Sequence, residues 1–111
     1  MRVSELSTSE AIRAALTRAL ETDPEVFLMG EDIGTYGGAF GVTRGLLERF
    51  GPERVVETPI SEAGFVGLAT GAAMLGGRPV VEIMFSDFMM LAFDQLFNHA
   101  AKFRYMYGEQ V

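Results

Sequence analysis

One carboxylate in the sequence has a setting in which it could carry out acid–base chemistry. Glu62 lies in the segment Thr58–Phe65, after a short apolar run and at the predicted beginning of a helix, with apolar residues on both sides. A carboxylate at this place is stabilised by the helix dipole and often does no more than cap its own helix. In a dry pocket the same group could hold or exchange a proton with a bound ligand. The residues alone leave both interpretations of Glu62 open.

The other candidates for polar chemistry are weaker. Glu31 and Asp32 follow a predicted strand, at the edge of a sheet where ligands commonly bind, although solvated loop carboxylates are the more common case. His99 is the single histidine and lies within a predicted helix, so we assign it no catalytic role. The sequence has no cysteine, and one histidine with scattered carboxylates makes a poor ligand set for a transition metal. We therefore expect no metal site in this chain.

Composition argues against several classes of partner. The formal net charge is −6 and no cluster of Lys and Arg is present, which disfavours nucleic acid and anionic membrane surfaces. Glu82, Asp87 and Asp94 interrupt the most apolar stretch, so we expect no membrane span. The polar segment Met1–Thr8 has the character of neither a signal peptide nor a transit peptide, which indicates a cytoplasmic protein.

The elements that must position these residues alternate between helices and strands. Ser7 and Glu10 have the spacing of a capping box, which predicts a helix from there to about Glu21. Short apolar runs predict strands at 26–30, 55–57 and 80–84, and helices are predicted at about 43–50, from a Ser61 cap to about 75, and from an Asp87 cap onward. The glycine-rich loop 31–41 is expected to be functional or mobile. This order predicts an α/β fold, a parallel sheet flanked by helices.

Two of the predicted helices have unusual surfaces. Gly64, Gly67 and Gly71 remove the side chains from one face of the helix that begins near Glu62, which lets another backbone approach closely. The last helix is apolar on nearly every face over Phe88–Phe97 and must be covered all round. For a single domain of 111 residues with 49% hydrophobic composition, this indicates surface buried by partners.

Five stretches taken together resemble the beta subunits of the pyruvate, branched-chain 2-oxo acid and acetoin dehydrogenase complexes. They are Phe27–Asp32, Thr58–Phe65, Gly71–Met74, Arg78–Glu82 and Asp94–Lys102. The resemblance runs in register over nearly the whole chain. It implies the amino-terminal part of such a subunit: a transketolase-like pyrimidine-binding domain for thiamine diphosphate over residues 1–111, incomplete at its carboxyl side.

The resemblance also implies site residues. In this family a glutamate at the position of Glu62 contacts the ring nitrogen of the cofactor's aminopyrimidine, and a shared proton there activates the ring. Ile60, Met84 and Phe88 correspond to apolar pocket residues, with Phe88 as the stacking contact, although core packing is the more common role for residues such as Ile60 and Met84. The active-site histidine of the family lies beyond this segment, so His99 is not its counterpart.

The implied reaction needs other chains. In this family the diphosphate and its Mg²⁺ are held by the alpha subunit, so the chain would supply part of a site. The implied activity is oxidative decarboxylation of a 2-oxo acid with acyl transfer to the lipoyl group of an acyltransferase component, in a heterotetramer with an alpha subunit and a second beta subunit. The isolated chain is expected to be inactive. Another transketolase-like thiamine-diphosphate enzyme and a non-catalytic assembly module remain alternatives.

Overall fold

The computed structural model describes residues 2–111, and a three-stranded parallel sheet forms its centre. The strands are β1 (Val26–Gly30), β2 (Val55–Glu57) and β3 (Arg78–Glu82), in the spatial order β2-β1-β3. The central strand β1 pairs Leu28 with Val55 on one side and with Val80 on the other. The predicted α/β class, a parallel sheet flanked by helices, is confirmed.

Helices connect and follow the strands. A 3₁₀ turn at Val3–Glu5 precedes α1 (Thr8–Thr22), and the later helices are α2 (Leu46–Phe50), α3 (Glu62–Met74) and α4 (Phe103–Met106). Between β3 and α4 lie a 3₁₀ segment, Ser86–Ala92, and a π-helical segment, Gln95–Ala100. No helix within residues 2–111 is long and apolar enough to cross a membrane.

The first helix begins as its sequence predicts. The backbone N–H of Ser7 donates to Glu10 Oε2 at 2.8 Å, and the N–H of Glu10 donates to Ser7 Oγ at 3.3 Å. This reciprocal capping box satisfies two donors that the helix leaves unpaired. The hydrogen bonds from Ser7 hold the pKa of Glu10 below its ordinary value.

The core has one layer on each face of the sheet. Towards α1 and α2 it consists of Leu20, Val26, Leu28, Ile33, Leu46 and Val55. Towards α3 it consists of Met29, Phe65, Val66, Ala69 and Ala92. The central strand contributes to both layers, as expected for a strand of a parallel sheet that is covered on both faces.

The third strand differs from its predicted bounds. It runs from Arg78 to Glu82, two residues earlier than expected, because the N–H of Arg78 already donates to Glu25 O at 2.9 Å and starts the pairing with β1. The backbone N–H groups of successive residues in a strand point to opposite sides, so position 79 faces the free edge of the sheet. The N–H that Pro79 lacks would therefore have had no partner strand. A proline is therefore tolerated inside this strand.

The second helix is shorter than predicted. It begins at Leu46 and not at Thr43, after Gly45 in the left-handed conformation (φ 81°). The hydroxyl of Thr43 is buried and donates to Ile33 O at 2.8 Å, so it fastens the loop and does not cap the helix. In the same loop, a Cβ at Gly37 (φ +83°) would lie 2.9 Å from Cα of Arg44. Loop 31–41 therefore packs closely against the backbone of residues 43–44.

The predicted last helix is wrong as a single regular element. The 3₁₀ segment begins after Phe85, and Asp87 is not its cap residue. The N–H of Ala101 donates to Leu96 O at 3.0 Å, an i to i+5 bond of a π-helix. The reason is tertiary: Ala92, which is fully buried, and Leu96 both pack against the α3 layer, and this packing changes the helical pitch. The outward faces of this region are exposed in the single chain.

Candidate functional site

The predicted site residues lie along one edge of the sheet. Parallel strands end at the same edge, so Glu31 after β1, Ile60 and Glu62 after β2, and Met84 and Phe88 after β3 all follow carboxyl ends. The chain order reverses at β1, because β2 lies on one side of it and β3 on the other. The carboxyl edge at such a reversal is where open α/β sheets bind ligands.

The turn between β2 and α3 places Glu62. The N–H of Thr58 donates to Gly30 O at 2.9 Å, which fixes the end of β2 beside the end of β1. Ser61 occupies the N-cap position as predicted, but its side chain makes no capping hydrogen bond. Glu62 is 6% exposed in the first turn of α3, and no hydrogen bond joins its side chain to the backbone of its helix among residues 2–111. Capping therefore does not account for Glu62.

A second carboxyl group lies against Glu62. Glu31 is 7% exposed, and its pKa is raised by burial first, then by a hydrogen bond with Glu62 and by the negative charges of Glu62 and Asp32. The interpretation of Glu31 as a solvated loop carboxylate is wrong. A signal was present in the sequence, since Glu31 directly follows the buried strand that ends at Gly30.

Two buried oxygens in this region lack a partner. Within residues 2–111, the buried side-chain atoms without a hydrogen bond are Glu31 Oε1 and Thr58 Oγ1, which follow the adjacent strands β1 and β2. An unsatisfied buried polar atom costs about 1–3 kcal/mol. A ligand that brings hydrogen-bonding groups to this edge would recover that cost.

The apolar candidates are placed differently from one another. Ile60 is 81% exposed, so core packing does not explain it, and Phe88 is 40% exposed. The ring of Phe88 meets Phe85 edge to face at 5.8 Å between centroids, and Phe85 meets Phe40 in the same way at 5.8 Å. Met84 is half-buried and lines a cavity of about 290 Å³ on the α1 side of the sheet. The structure therefore joins Glu62 with Glu31 and Phe88 with Phe85, while Met84 belongs to a neighbouring cavity.

One further acidic residue was missed by the sequence analysis. Glu82 ends β3 and lines the same cavity as Met84, and burial raises its pKa. Its carboxylate lies 3.7 Å from the position that a Cβ on Gly38 would take. Among residues 2–111 no group of three His, Cys, Asp or Glu side chains could hold a metal ion.

Comparisons with known proteins agree with this geometry. Residues 4–109 match the family described as transketolase, pyrimidine binding domain. The chain is 51% identical over 107 residues to the pyruvate dehydrogenase E1 component subunit beta-2, mitochondrial, of Oryza sativa subsp. japonica, covering 96% of this chain and 28% of the rice protein. It is 52% identical over 106 residues to the pyruvate dehydrogenase E1 component subunit beta of Rickettsia felis, covering 96% and 32%. The chain thus spans less than a third of these relatives, and the resemblance to beta subunits is confirmed.

Proposed function

Because the chain belongs to the family of transketolase pyrimidine-binding domains, we propose that it binds the aminopyrimidine ring of thiamine diphosphate through Glu62, as part of the beta subunit of a 2-oxo acid dehydrogenase. The observation that carries this proposal is the buried pair of Glu31 and Glu62 at the carboxyl edge of the sheet. When bound, thiamine diphosphate supplies the electron sink for decarboxylation.

Glu62 is the proton-holding group of the site. Its carboxylate is screened from water at the amino terminus of a helix of 13 residues, where the helix dipole favours negative charge. A hydrogen bond to a ring nitrogen gains strength in such a site because no solvent competes for it. Glu62 can therefore share a proton with the ring more effectively than an exposed carboxylate can.

Glu31 assists by staying protonated. Its raised pKa keeps it neutral at pH values where an ordinary glutamate is ionised, and in that form it can donate a hydrogen bond to Glu62. Two adjacent buried carboxyl groups carry one negative charge at far lower cost than two. The remaining Glu31 oxygen, buried and without a partner, is free to accept a hydrogen bond from the ring's amino group.

The apolar residues would enclose the ring. Ile60 and Phe88 present exposed apolar surface and follow the carboxyl ends of β2 and β3, and a flat aromatic ring bound at that edge would cover it, with Phe88 as the stacking contact. Met84 would contribute from the neighbouring cavity. The diphosphate and its Mg²⁺ require hard oxygen ligands and positive charge, and we assign them to an alpha subunit, since this chain carries a net charge of −6.

The assembly completes the proposal. We place the chain in a heterotetramer with an alpha subunit and a second beta subunit, which oxidatively decarboxylates a 2-oxo acid and passes the acyl group to a lipoyl-bearing acyltransferase. The cytoplasm is the proposed compartment. The rice relative is named as mitochondrial and the Rickettsia relative carries no compartment in its name, so cell fractionation decides this point.

The substitution Glu62→Gln in the assembled enzyme tests the site. An amide cannot share the proton as the carboxylate does, so we expect turnover to fall on the order of 100-fold or more. The thermal midpoint should not fall, because the change removes one of two adjacent buried carboxyl groups. Steady-state kinetics and calorimetric unfolding measure the two quantities.

Glu53→Gln is the matched control, since Glu53 is an exposed turn residue outside the site. Its turnover should equal that of the unchanged enzyme. Near-normal turnover of Glu62→Gln would refute the assignment of Glu62. Binding of an alpha partner without any binding of thiamine diphosphate would favour the assembly-module alternative, and activity without a lipoyl acceptor would favour another transketolase-like enzyme.

A further inference from the structure

An unusually close contact joins the π-helical segment to α3. The side chain of Gln95 lies on the bare face of Gly67: a Cβ at Gly67 would be 2.9 Å from Gln95 Oε1 and 3.2 Å from its Cδ. Real Cβ atoms essentially never approach another heavy atom to less than 3.0 Å. Any side chain at position 67 would therefore displace Gln95.

His99 fixes the orientation of Gln95. The distance between His99 Nδ1 and Gln95 Oε1 is 2.6 Å, and the His99 ring packs on Phe103 with 4.8 Å between centroids. An amide oxygen can only accept, so the proton of this hydrogen bond belongs to Nδ1 of His99.

The contact lies between the two halves of the proposed pocket. Gly67 is five residues after Glu62 on the same helix, a distance of about 7.5 Å along its axis. Gln95 follows the 3₁₀ segment that carries Phe88, and the fully buried Ala92, the last residue of that segment, packs against α3. Because His99 holds the Gln95 side chain, a change at Gly67 that this side chain cannot absorb by rotating would shift the segment that carries Phe88 relative to the helix that carries Glu62.

We propose that Gln95 is a positioning residue: held by His99 and seated on Gly67, it sets the separation between the helix that bears Glu62 and the segment that bears Phe88. This inference rests on the proposed function, since it assigns a task to the same pyrimidine site.

Gln95→Met in the assembled enzyme tests the proposal, because Met keeps the length of the side chain and removes the oxygen that His99 binds. We expect the dissociation constant for thiamine diphosphate, measured by calorimetry with Mg²⁺, to rise about tenfold or more. The kcat should fall while the KM for the 2-oxo acid stays the same, since misplacement of about 1 Å at a reacting centre can cost about 100-fold in rate. Gln95→Glu, a separate variant, retains an oxygen that can accept from His99, so its affinity for thiamine diphosphate should be near normal.

Gly67→Ala and Gly71→Ala form the matched pair. Both add one methyl group to the same helix, but a Cβ at Gly71 meets nothing within 4 Å. Gly67→Ala should weaken cofactor binding about tenfold or more, and Gly71→Ala should leave it unchanged. Replacing Gln95 by Ser in the Gly67→Ala protein should remove the clash and reduce the loss of thermal stability that Gly67→Ala causes.

Four results would overturn the positioning role. One is a Gln95→Met protein with a lowered thermal midpoint but unchanged cofactor affinity, which is the pattern of a purely structural residue. Another is equal cofactor affinity in Gly67→Ala and Gly71→Ala. If turnover is lost in Glu62→Gln while both Gln95→Met measurements are normal, the positioning role fails and the proposed function stands. If the unchanged assembly does not bind the cofactor at all, both proposals fail together.

Discussion

Burial turns Glu31 from an ordinary loop carboxylate into a group that responds to pH in an unusual range. Its residue type and its place after a strand were visible in the sequence, as were those of Glu62. The sequence could not show that the two side chains meet, because that depends on the pairing of β1 with β2 and on the turn at Thr58. The pattern therefore predicts the individual carboxylates, and the sheet register decides which of them form a pair.

The substitution Glu31→Gln should change how stability depends on pH. The pKa of Glu31 is raised in the folded chain, so the unfolded chain loses this proton at lower pH than the folded chain does. Between the ordinary glutamate pKa, about 4.3, and the raised value, the free energy of unfolding falls as pH rises. Glu31→Gln removes this contribution, so its thermal midpoint should exceed that of the unchanged protein at pH 8 and differ little at pH 4.

Thermal unfolding of the two proteins and of Glu53→Gln across this range measures the effect. The control should follow the unchanged protein, because Glu53 is exposed. A constant difference between Glu31→Gln and the unchanged protein from pH 4 to pH 8 would contradict the raised pKa.

At the scale of elements, local signals predicted what local forces decide. The capping box of α1 forms as expected from neighbours in sequence. The strands β1 and β2 and the start of α3 after Ser61 also lie where expected, although Ser61 makes no capping hydrogen bond. The prediction of a regular last helix was wrong because the pitch of this region depends on its packing against α3. Gly67 in α3 has no side chain, and the π-helical turn places Gln95 in the space that this leaves. A contact between segments this far apart leaves no periodic pattern in the sequence from which it could be predicted.

Arg54 joins three elements through its side chain, and its removal should lower stability. Its Nε donates to Val26 O at 2.7 Å, and its Nη2 donates to Leu20 O and to Asp23 O, both at 2.9 Å. These bonds tie the end of α1 and the start of β1 to the start of β2. Since a hydrogen bond to a charged group contributes about 1.5–3 kcal/mol, Arg54→Met should lower the free energy of unfolding by about 2–4 kcal/mol.

Urea unfolding of Arg54→Met beside Arg18→Met checks this expectation. Arg18 is exposed on α1, so its replacement should change the free energy by less than about 0.5 kcal/mol. Equal stabilities of the two variants would mean that water satisfies the three carbonyl oxygens when the guanidinium is removed.

At the scale of the whole molecule, one surface is too apolar to remain in water. It is formed by the exposed side chains of Phe85, Phe88, Met89, Met90, Leu91, Phe93 and Phe97, which are each between 40% and 69% exposed. Beside it, a groove of about 420 Å³ runs between α3, β3 and residues 89–111. Contiguous apolar surface of this kind marks a site of association.

The separated chain should therefore self-associate, and a single charge in the apolar surface should weaken that association. Sedimentation velocity over a wide range of concentrations should show a coefficient that rises with concentration. Met90→Lys places a charge at the most exposed member of the surface and should shift the distribution towards monomer. A concentration-independent monomer for the unchanged chain would contradict the expectation that this surface needs a partner.

The π-helical segment also determines how this region would respond to a change in the number of its residues. An i to i+5 turn holds one more residue than an α-helical turn, so Gln95–Ala100 behaves as an α-helix with one residue inserted. Removing one residue there would restore the regular α-helical pitch, and the lost residue and the tighter pitch offset each other. Phe103 and Arg104, which line the groove beside α3, would therefore keep nearly the same orientation. Inserting a further residue would instead rotate both side chains by about 100° around the helix axis. A deletion within Gln95–Ala100 should therefore be tolerated better than an insertion.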